Sequence, residues 1–137
     1  MRVFVDTNIL LDLVCEREPF VEDARKLFAM GYTGQLQLVI SALSIVNTIY
    51  VGRKYGYTDI KEQLVRVAGF VEVADLKAMI SIAALESKWS DYEDAVQCFT
   101  ATNELSYCIV TRNKKDFLYS PIPVYDIKEF LISNTPQ

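Results

Sequence analysis

The sequence predicts an α/β fold in which helices cover both faces of a parallel sheet. Three observations carry this. Five short segments read as strands: Val3–Val5, Leu36–Ile40, Phe70–Val73, Tyr107–Val110 and Val124–Tyr125. Most are continuous apolar runs, as expected of strands buried on both faces. The gaps between them carry helical periodicity, and alternating strands and helices build α/β domains. The 137 residues, 51% of them hydrophobic, suit one domain over 1–137 with a sizeable core.

The first strand, RVFV, runs straight into Asp6. A helix opens behind it with Thr7, Asn8 and the apolar Ile9, Leu10 and Leu11. Phe20–Met30 is helical, with Val21, Ala24, Leu27 and Phe28 at helical spacing. Ala42–Tyr55 follows Ser41, a residue type that caps helix N-termini. Ile60–Ala68 and Leu76–Leu85 are shorter helices, and Asp91–Leu105 is strongly periodic through Ala95, Cys98, Ala101, Thr102 and Leu105. No linker, repeat or low-complexity segment interrupts the series, and Ser133–Gln137 reads as a loose tail.

Composition removes several kinds of chemistry. The chain has no histidine, so Ser-His-Asp catalysis, Cys-His catalysis and histidine-bound metals are excluded. A metal here would be held by oxygen, which favours Mg²⁺ or Mn²⁺. Cys15, Cys98 and Cys108 are far apart and read as core residues rather than as disulfide or zinc partners. No apolar run approaches the roughly 20 residues of a membrane span, and Asp6 interrupts any signal peptide, so a cytoplasmic protein with no membrane partner is expected. The net charge of −4 argues against a broadly basic nucleic-acid-binding face but permits a local one.

In open α/β sheets ligands bind beyond the carboxyl ends of the strands, where strand order reverses. Asp6 ends the first strand, and Thr111, Arg112 and Asn113 follow the fourth. If those strands are neighbours, their ends share one cleft. A second acidic feature is SDYEDAVQCFTATNEL. Asp91 and Asp94 are three apart on a helix and face the same way. Asp94 lies in line with the apolar stripe and points inward, which is costly for an unpaired carboxylate. Ser90-x-x-Glu93 also fits a capping box, which accounts for Asp91 and Glu93 better than for Asp94. The third feature is IVTRNKKDF, where Thr111, Asn113 and Asp116 offer oxygens beside Arg112, Lys114 and Lys115. It reads either as a polar turn with a capping Asp116 or as part of a site whose cations hold phosphate. Converging acids without histidine suit metal-assisted phosphodiester chemistry, with Thr7 and Thr111 orienting the carboxylates or the water.

In this order, VDTNILLDL, SDYEDAVQCFTATN and IVTRNKKDF resemble the PIN-domain family, including the VapC-like toxin ribonucleases; ISALSIVNTIYVGRKYG resembles the family's second block. The resemblance implies a three-layer α/β/α fold with a five-stranded parallel sheet. It implies a Mg²⁺- or Mn²⁺-dependent endoribonuclease, often paired with a cognate antitoxin and often dimeric. Asp6 matches the family's first acidic ligand and Asp94 the third. Asp91 is an additional acid, Asn113 falls where many members carry an acid, and Asp116 is the nearby acid retained here. The metal ligands implied are therefore Asp6, Asp94 and Asp116. Asn47 stands where members usually carry a glutamate, so with Asn113 two of the family's usual four acidic positions are neutral here.

One alternative stays open, and two others fit the sequence poorly. Asn47 is consistent with a catalytically weak or inactive PIN domain that binds RNA or a protein partner. A phosphoacceptor receiver domain is also small, parallel and aspartate-rich at strand ends, but Asp75 has no matching lysine after the fifth strand. A Rossmann domain would need a Gly-rich turn after the first strand, which is absent.

Overall fold

The computed structural model describes residues 1–134. Its strands are β1 (Arg2–Val5), β2 (Gln37–Ser41), β3 (Glu72–Ala74), β4 (Cys108–Thr111) and β5 (Val124–Asp126). The helices are α1 (Thr7–Val14), α2 (Val21–Tyr32), α3 (Ala42–Lys54), α4 (Ile60–Ala68), α5 (Ala78–Leu85), α6 (Tyr92–Asn103) and α7 (Ile127–Asn134). A 3₁₀ turn, Lys114–Phe117, follows β4. The strands form one five-stranded sheet in the order β3-β2-β1-β4-β5, and every pairing is parallel.

Alternation along the three central strands builds the layers. Val3 and Val5 of β1, Leu38 and Ile40 of β2, and Cys108 and Val110 of β4 face one side. There they meet Ile9 of α1, Ala24 and Leu27 of α2, Leu64 of α4 and Phe130 of α7. Phe4, Val39 and Ile109, the residues between them, face the other side against Cys98 and Ala101 of α6 and Phe117. Successive strand side chains point to opposite faces, so one run of apolar residues fills two cores. The edge strands β3 and β5 are more open to solvent. Gly52 lets α3 approach α4 closely: a Cβ there would meet Ile60 Cδ1 at 1.6 Å. All three cysteines are buried and unbonded, and burial pushes the Cys108 thiol up to about 12. No described helix is long and apolar enough to cross a membrane.

The expected fold class and all five strands are present, each strand shifted by one or two residues. The helix beginning after Asp6 is α1. The sequence left α7 unread: Ser133 and Asn134, placed in the tail, lie within it, and residues 135–137 lie outside the described residues. Leu105, expected on the inner stripe of α6, sits past the helix at φ 56 and is exposed.

Candidate active site

β1 and β4 are neighbours, and strand order reverses between them. The crevice beyond their carboxyl ends is therefore the expected ligand site of this architecture. Asp6 lies at this end of the sheet, directly after β1, and is buried. Its backbone N–H donates to Val110 of β4 at 3.0 Å, extending the sheet by one bond. Its side chain caps α1, Oδ1 accepting from the Thr7 N–H at 2.8 Å. Oδ2 accepts from Thr111 Oγ1 at 2.8 Å. The Thr111 oxygen in turn accepts from Asn113 N and Asn8 Nδ2. Burial raises the Asp6 pKa, the hydrogen bonds from Thr111, Thr7 and Gln97 oppose that rise, and the charge of Asp116 adds to it.

α6 brings the second set of acids. Asp91, not Ser90, is its N-cap: Asp91 Oδ1 accepts from the Asp94 N–H at 3.0 Å. The capping box expected from Ser90 and Glu93 is thereby corrected, because the helix starts one residue later and Asp94 takes the third helical position. Asp94 is half-buried, and its pKa is pushed up to about 7. Burial is the main cause, followed by the charges of Asp91, Asp6, Asp116 and Glu93. Glu93 is also raised, by burial first, then by Asp6 and Asp91; a hydrogen bond from Asn47 opposes the rise. Asp116 reaches the same field from the 3₁₀ turn. A cleft of about 480 Å³ joins Asp91, Asp94, Lys115 and Asp116, walled by Trp89 and Tyr119. A larger groove of about 630 Å³, lined by Val46, Ile49, Tyr50, Arg53 and Lys54, holds no carboxylate.

Among the described residues, no three carboxylate or cysteine side chains are gathered tightly enough to hold a metal ion as they stand. The donor chemistry nonetheless fits a hard divalent cation. Every candidate ligand is an oxygen, and the acids destabilise one another's charge, which a cation would offset.

The sequence missed Gln97, which is 0% exposed and ties three elements together. Its Nε2 donates to Thr7 Oγ1 at 2.9 Å and Ser44 Oγ at 2.8 Å, and lies 3.5 Å from Asp6 Oδ1. Its Oε1 accepts from Ser41 Oγ at 2.6 Å. Two amide protons serve the two short contacts, so the Asp6 contact is the weak one. Its position one turn after Glu93 and Asp94, inside an otherwise apolar stripe, was the available signal.

The cationic trio divides. Lys115 lines the cleft. Lys114 lies 3.5 Å from Glu129 at the surface. Arg112 is engaged elsewhere: its Nε donates to Asp12 Oδ2 at 2.5 Å and its Nη2 to Asp12 Oδ1 at 3.1 Å. Asp12 is 1% exposed, and the Arg112 guanidinium lies over the Phe20 ring. Arg112, expected to hold phosphate, is instead a clamp between α1 and the end of β4. Asn113 is exposed at the N-terminus of the 3₁₀ turn. Asn47 is half-buried on α3.

A family model described as PIN domain matches residues 2–115. Among solved structures, a toxin–antitoxin complex from Klebsiella pneumoniae aligns at 23% identity and TM-score 0.67, covering 91% of this chain and 97% of that one. VapBC2 from Rickettsia felis, bound to a DNA fragment of its promoter, aligns at 17% and 0.66, covering 92% and 98%. VapC20 from Mycobacterium tuberculosis, a Sarcin-Ricin loop cleaving toxin, aligns at 15% and 0.63, covering 78% and 86%. At these identities the likeness is one of fold. No curated protein matches.

Proposed function

This chain belongs to the PIN-domain family, and we propose that it is an endoribonuclease that hydrolyses RNA phosphodiester bonds in the cleft beyond β1 and β4. The feature that supports the reading is the placement of three acids on separate elements: Asp6 directly after β1, and Asp94 of α6 with Asp116 of the 3₁₀ turn after β4, the latter two lining one cleft. These three would hold Mg²⁺ or Mn²⁺, with Asp91 adding charge and Asn47 and Asn113 as neutral neighbours. When bound, such a cation activates water and stabilises the leaving oxygen of an in-line displacement.

The chain's own residues do the positioning. Thr111 and the Thr7 N–H fix both oxygens of Asp6, so its lone pairs keep one orientation. Lys115 meets a phosphate beside the scissile bond. Trp89 and Tyr119 offer ring faces on which an unpaired base stacks, favouring single-stranded or looped RNA. Water attacks phosphorus and the P–O3′ bond breaks. The 3′ oxygen leaves and takes a proton, giving a 5′-phosphate and a 3′-hydroxyl.

Incubating a mixed RNA pool with the protein in Mn²⁺ or Mg²⁺, against chelator, tests this. Cleavage lost in chelator and in Asp94→Asn supports it. RNA binding that survives chelation without cleavage favours the second reading, an inactive binding domain, whose motive is the neutral Asn47. A cognate antitoxin, as in the Klebsiella pneumoniae complex, and a second copy of the chain are the protein partners we propose; the α3 groove around Val46 and Tyr50 is the exposed apolar surface that supports this.

A further inference from the structure

Two of the three cations expected to hold phosphate are engaged elsewhere, Arg112 with Asp12 and Lys114 beside Glu129. The cleft sets three carboxylates, Asp91, Asp94 and Asp116, against Lys115 alone. A bound cation offsets that charge at the scissile phosphate, but the rest of an RNA strand meets a chain of net charge −4. Unpaired cations and exposed rings occur together on another face. A groove of about 610 Å³ lies where the end of α3 meets the start of α4, lined by Arg53, Tyr57, Thr58, Lys61 and Glu62 among others. Arg53, Lys61 and the adjacent Lys54 are exposed and make no ion pair among the described residues. Tyr57 is 41% exposed and Tyr55 69%, and Lys54 Nζ lies 5.9 Å from the centre of the Tyr55 ring. Cations in the last turn of α3 suit its helix dipole, which accounts for Arg53 and Lys54. The same rule fails for Lys61, the second residue of α4, where the dipole disfavours a cation. Nor does it explain tyrosine rings left in water beside them.

We propose, on the ribonuclease reading above, that this groove is a second RNA-binding site that holds single-stranded substrate away from the scissile bond. Arg53 and Lys61 meet phosphates, and Tyr57 stacks on an unpaired base, the pairing of charge and ring by which single strands are held without regard to sequence. α3 opens at the carboxyl end of β2, the same end of the sheet as Asp6, and runs about 20 Å to this groove. A substrate that reaches both sites is therefore several nucleotides long. The neighbouring apolar groove of Val46 and Tyr50 shares Ile49 and Arg53 with it, whereas Tyr57 and Lys61 line this one alone.

The test is fluorescence anisotropy of a labelled, unstructured single-stranded RNA in chelator, where metal-dependent cutting stops, over a range of salt. Arg53→Gln/Lys61→Gln and Tyr57→Ala are compared with the parent. Lys26→Gln/Lys128→Gln, exposed cations of α2 and α7, is the control that removes the same charge elsewhere. We expect the groove double variant to weaken binding about tenfold, and to lower the slope of log Kd against log salt by about 1.4, as for two phosphate contacts on a single strand. Tyr57→Ala weakens binding severalfold and leaves the slope alone, and Tyr57→Phe restores it. In Mn²⁺ the double variant raises the KM for RNA with a smaller change in kcat. Binding by the double variant within about twofold of the parent's, or a loss no greater than the control's, overturns this proposal alone. A parent that binds no RNA overturns it together with the ribonuclease reading. Poly-glutamate that binds the parent as tightly as RNA does, and loses that binding in the same double variant, overturns it in favour of an acidic protein partner. RNA held by the groove of a protein that cuts nothing in Mn²⁺ upholds the site and sinks the nuclease.

Discussion

Replacing Gln97 with Leu removes the amide while nearly keeping the volume, so the cost can be read from hydrogen bonds alone. In the parent, one assignment satisfies every donor of the network. Ser41 donates to Gln97 Oε1, Ser44 to Ser41, Thr7 to Ser44, and the amide N–H groups go to Thr7 and Ser44. Without the amide, Thr7, Ser44 and Ser41 still form a chain of two hydroxyl contacts, 2.7 and 3.1 Å long. Three protons then share two acceptors, whichever way the chain runs. One buried hydroxyl is left unsatisfied, which costs about 2 kcal/mol. For a chain this size that lowers Tm by roughly 6–10 °C. Urea unfolding should show the midpoint falling with the m-value unchanged. Asp6 keeps its bonds from Thr7 and Thr111, so RNA cleavage should fall far less than in Asp6→Asn. A midpoint shift worth less than about 0.5 kcal/mol would refute the reasoning, since surface substitutions do as much.

Asp12→Ala should be the most destabilising of the charge changes, by about 3–5 kcal/mol in thermal or urea unfolding, because it leaves the Arg112 and Arg17 guanidinium groups without the buried carboxylate they share. Without metal, stability should fall as pH rises from about 4 to 7. The folded Asp94 keeps its proton up to about 7 while the unfolded chain releases it near 3.8, so the folded state binds more protons across that window. Asp6 and Glu93, also raised, act in the same direction. Differential scanning fluorimetry in chelator should show Tm lower at pH 8 than at pH 5, Asp94→Asn should flatten the slope, and Mn²⁺ should raise Tm more at pH 8 than at pH 5. Lys115→Ala should raise the KM for RNA several-fold with a smaller change in kcat, as expected for a phosphate contact common to ground and transition states.

The parts of the site legible in the sequence are those where one residue type breaks an otherwise apolar pattern. Asp6 stands out because it ends a buried strand, and Asp94 because it lies in line with the apolar face of α6. That Asp6 and Thr111 meet at the ends of β1 and β4 followed from a topological rule, once those strands were taken as neighbours. What stayed hidden depends on partners distant in sequence. Arg112 beside Lys114 and Lys115 reads as a phosphate grip; Asp12, 100 residues away, turns it into a structural clamp. Gln97 carries no charge to draw notice, and its role appears only when Ser41, Ser44 and Thr7 meet around it. Glu93 reads as the partner of a Ser90 cap until the cap proves to be Asp91. The final helix α7 went unread because its apolar positions, Ile127, Phe130 and Leu131, are few and run into the chain end.

The most direct test of the nuclease reading is a time course of cleavage of a 5′-labelled single-stranded RNA pool in Mn²⁺ by the parent and Asp6→Asn, with product ends mapped. Metal-dependent hydrolysis gives 5′-phosphate and 3′-hydroxyl ends from the parent, and a rate at least about 100-fold lower for Asp6→Asn, as for loss of a group that acts on the transition state. Cleavage by Asp6→Asn as fast as by the parent, or products ending in 2′,3′-cyclic phosphate, which form by attack of the RNA's own 2′-hydroxyl, would contradict it.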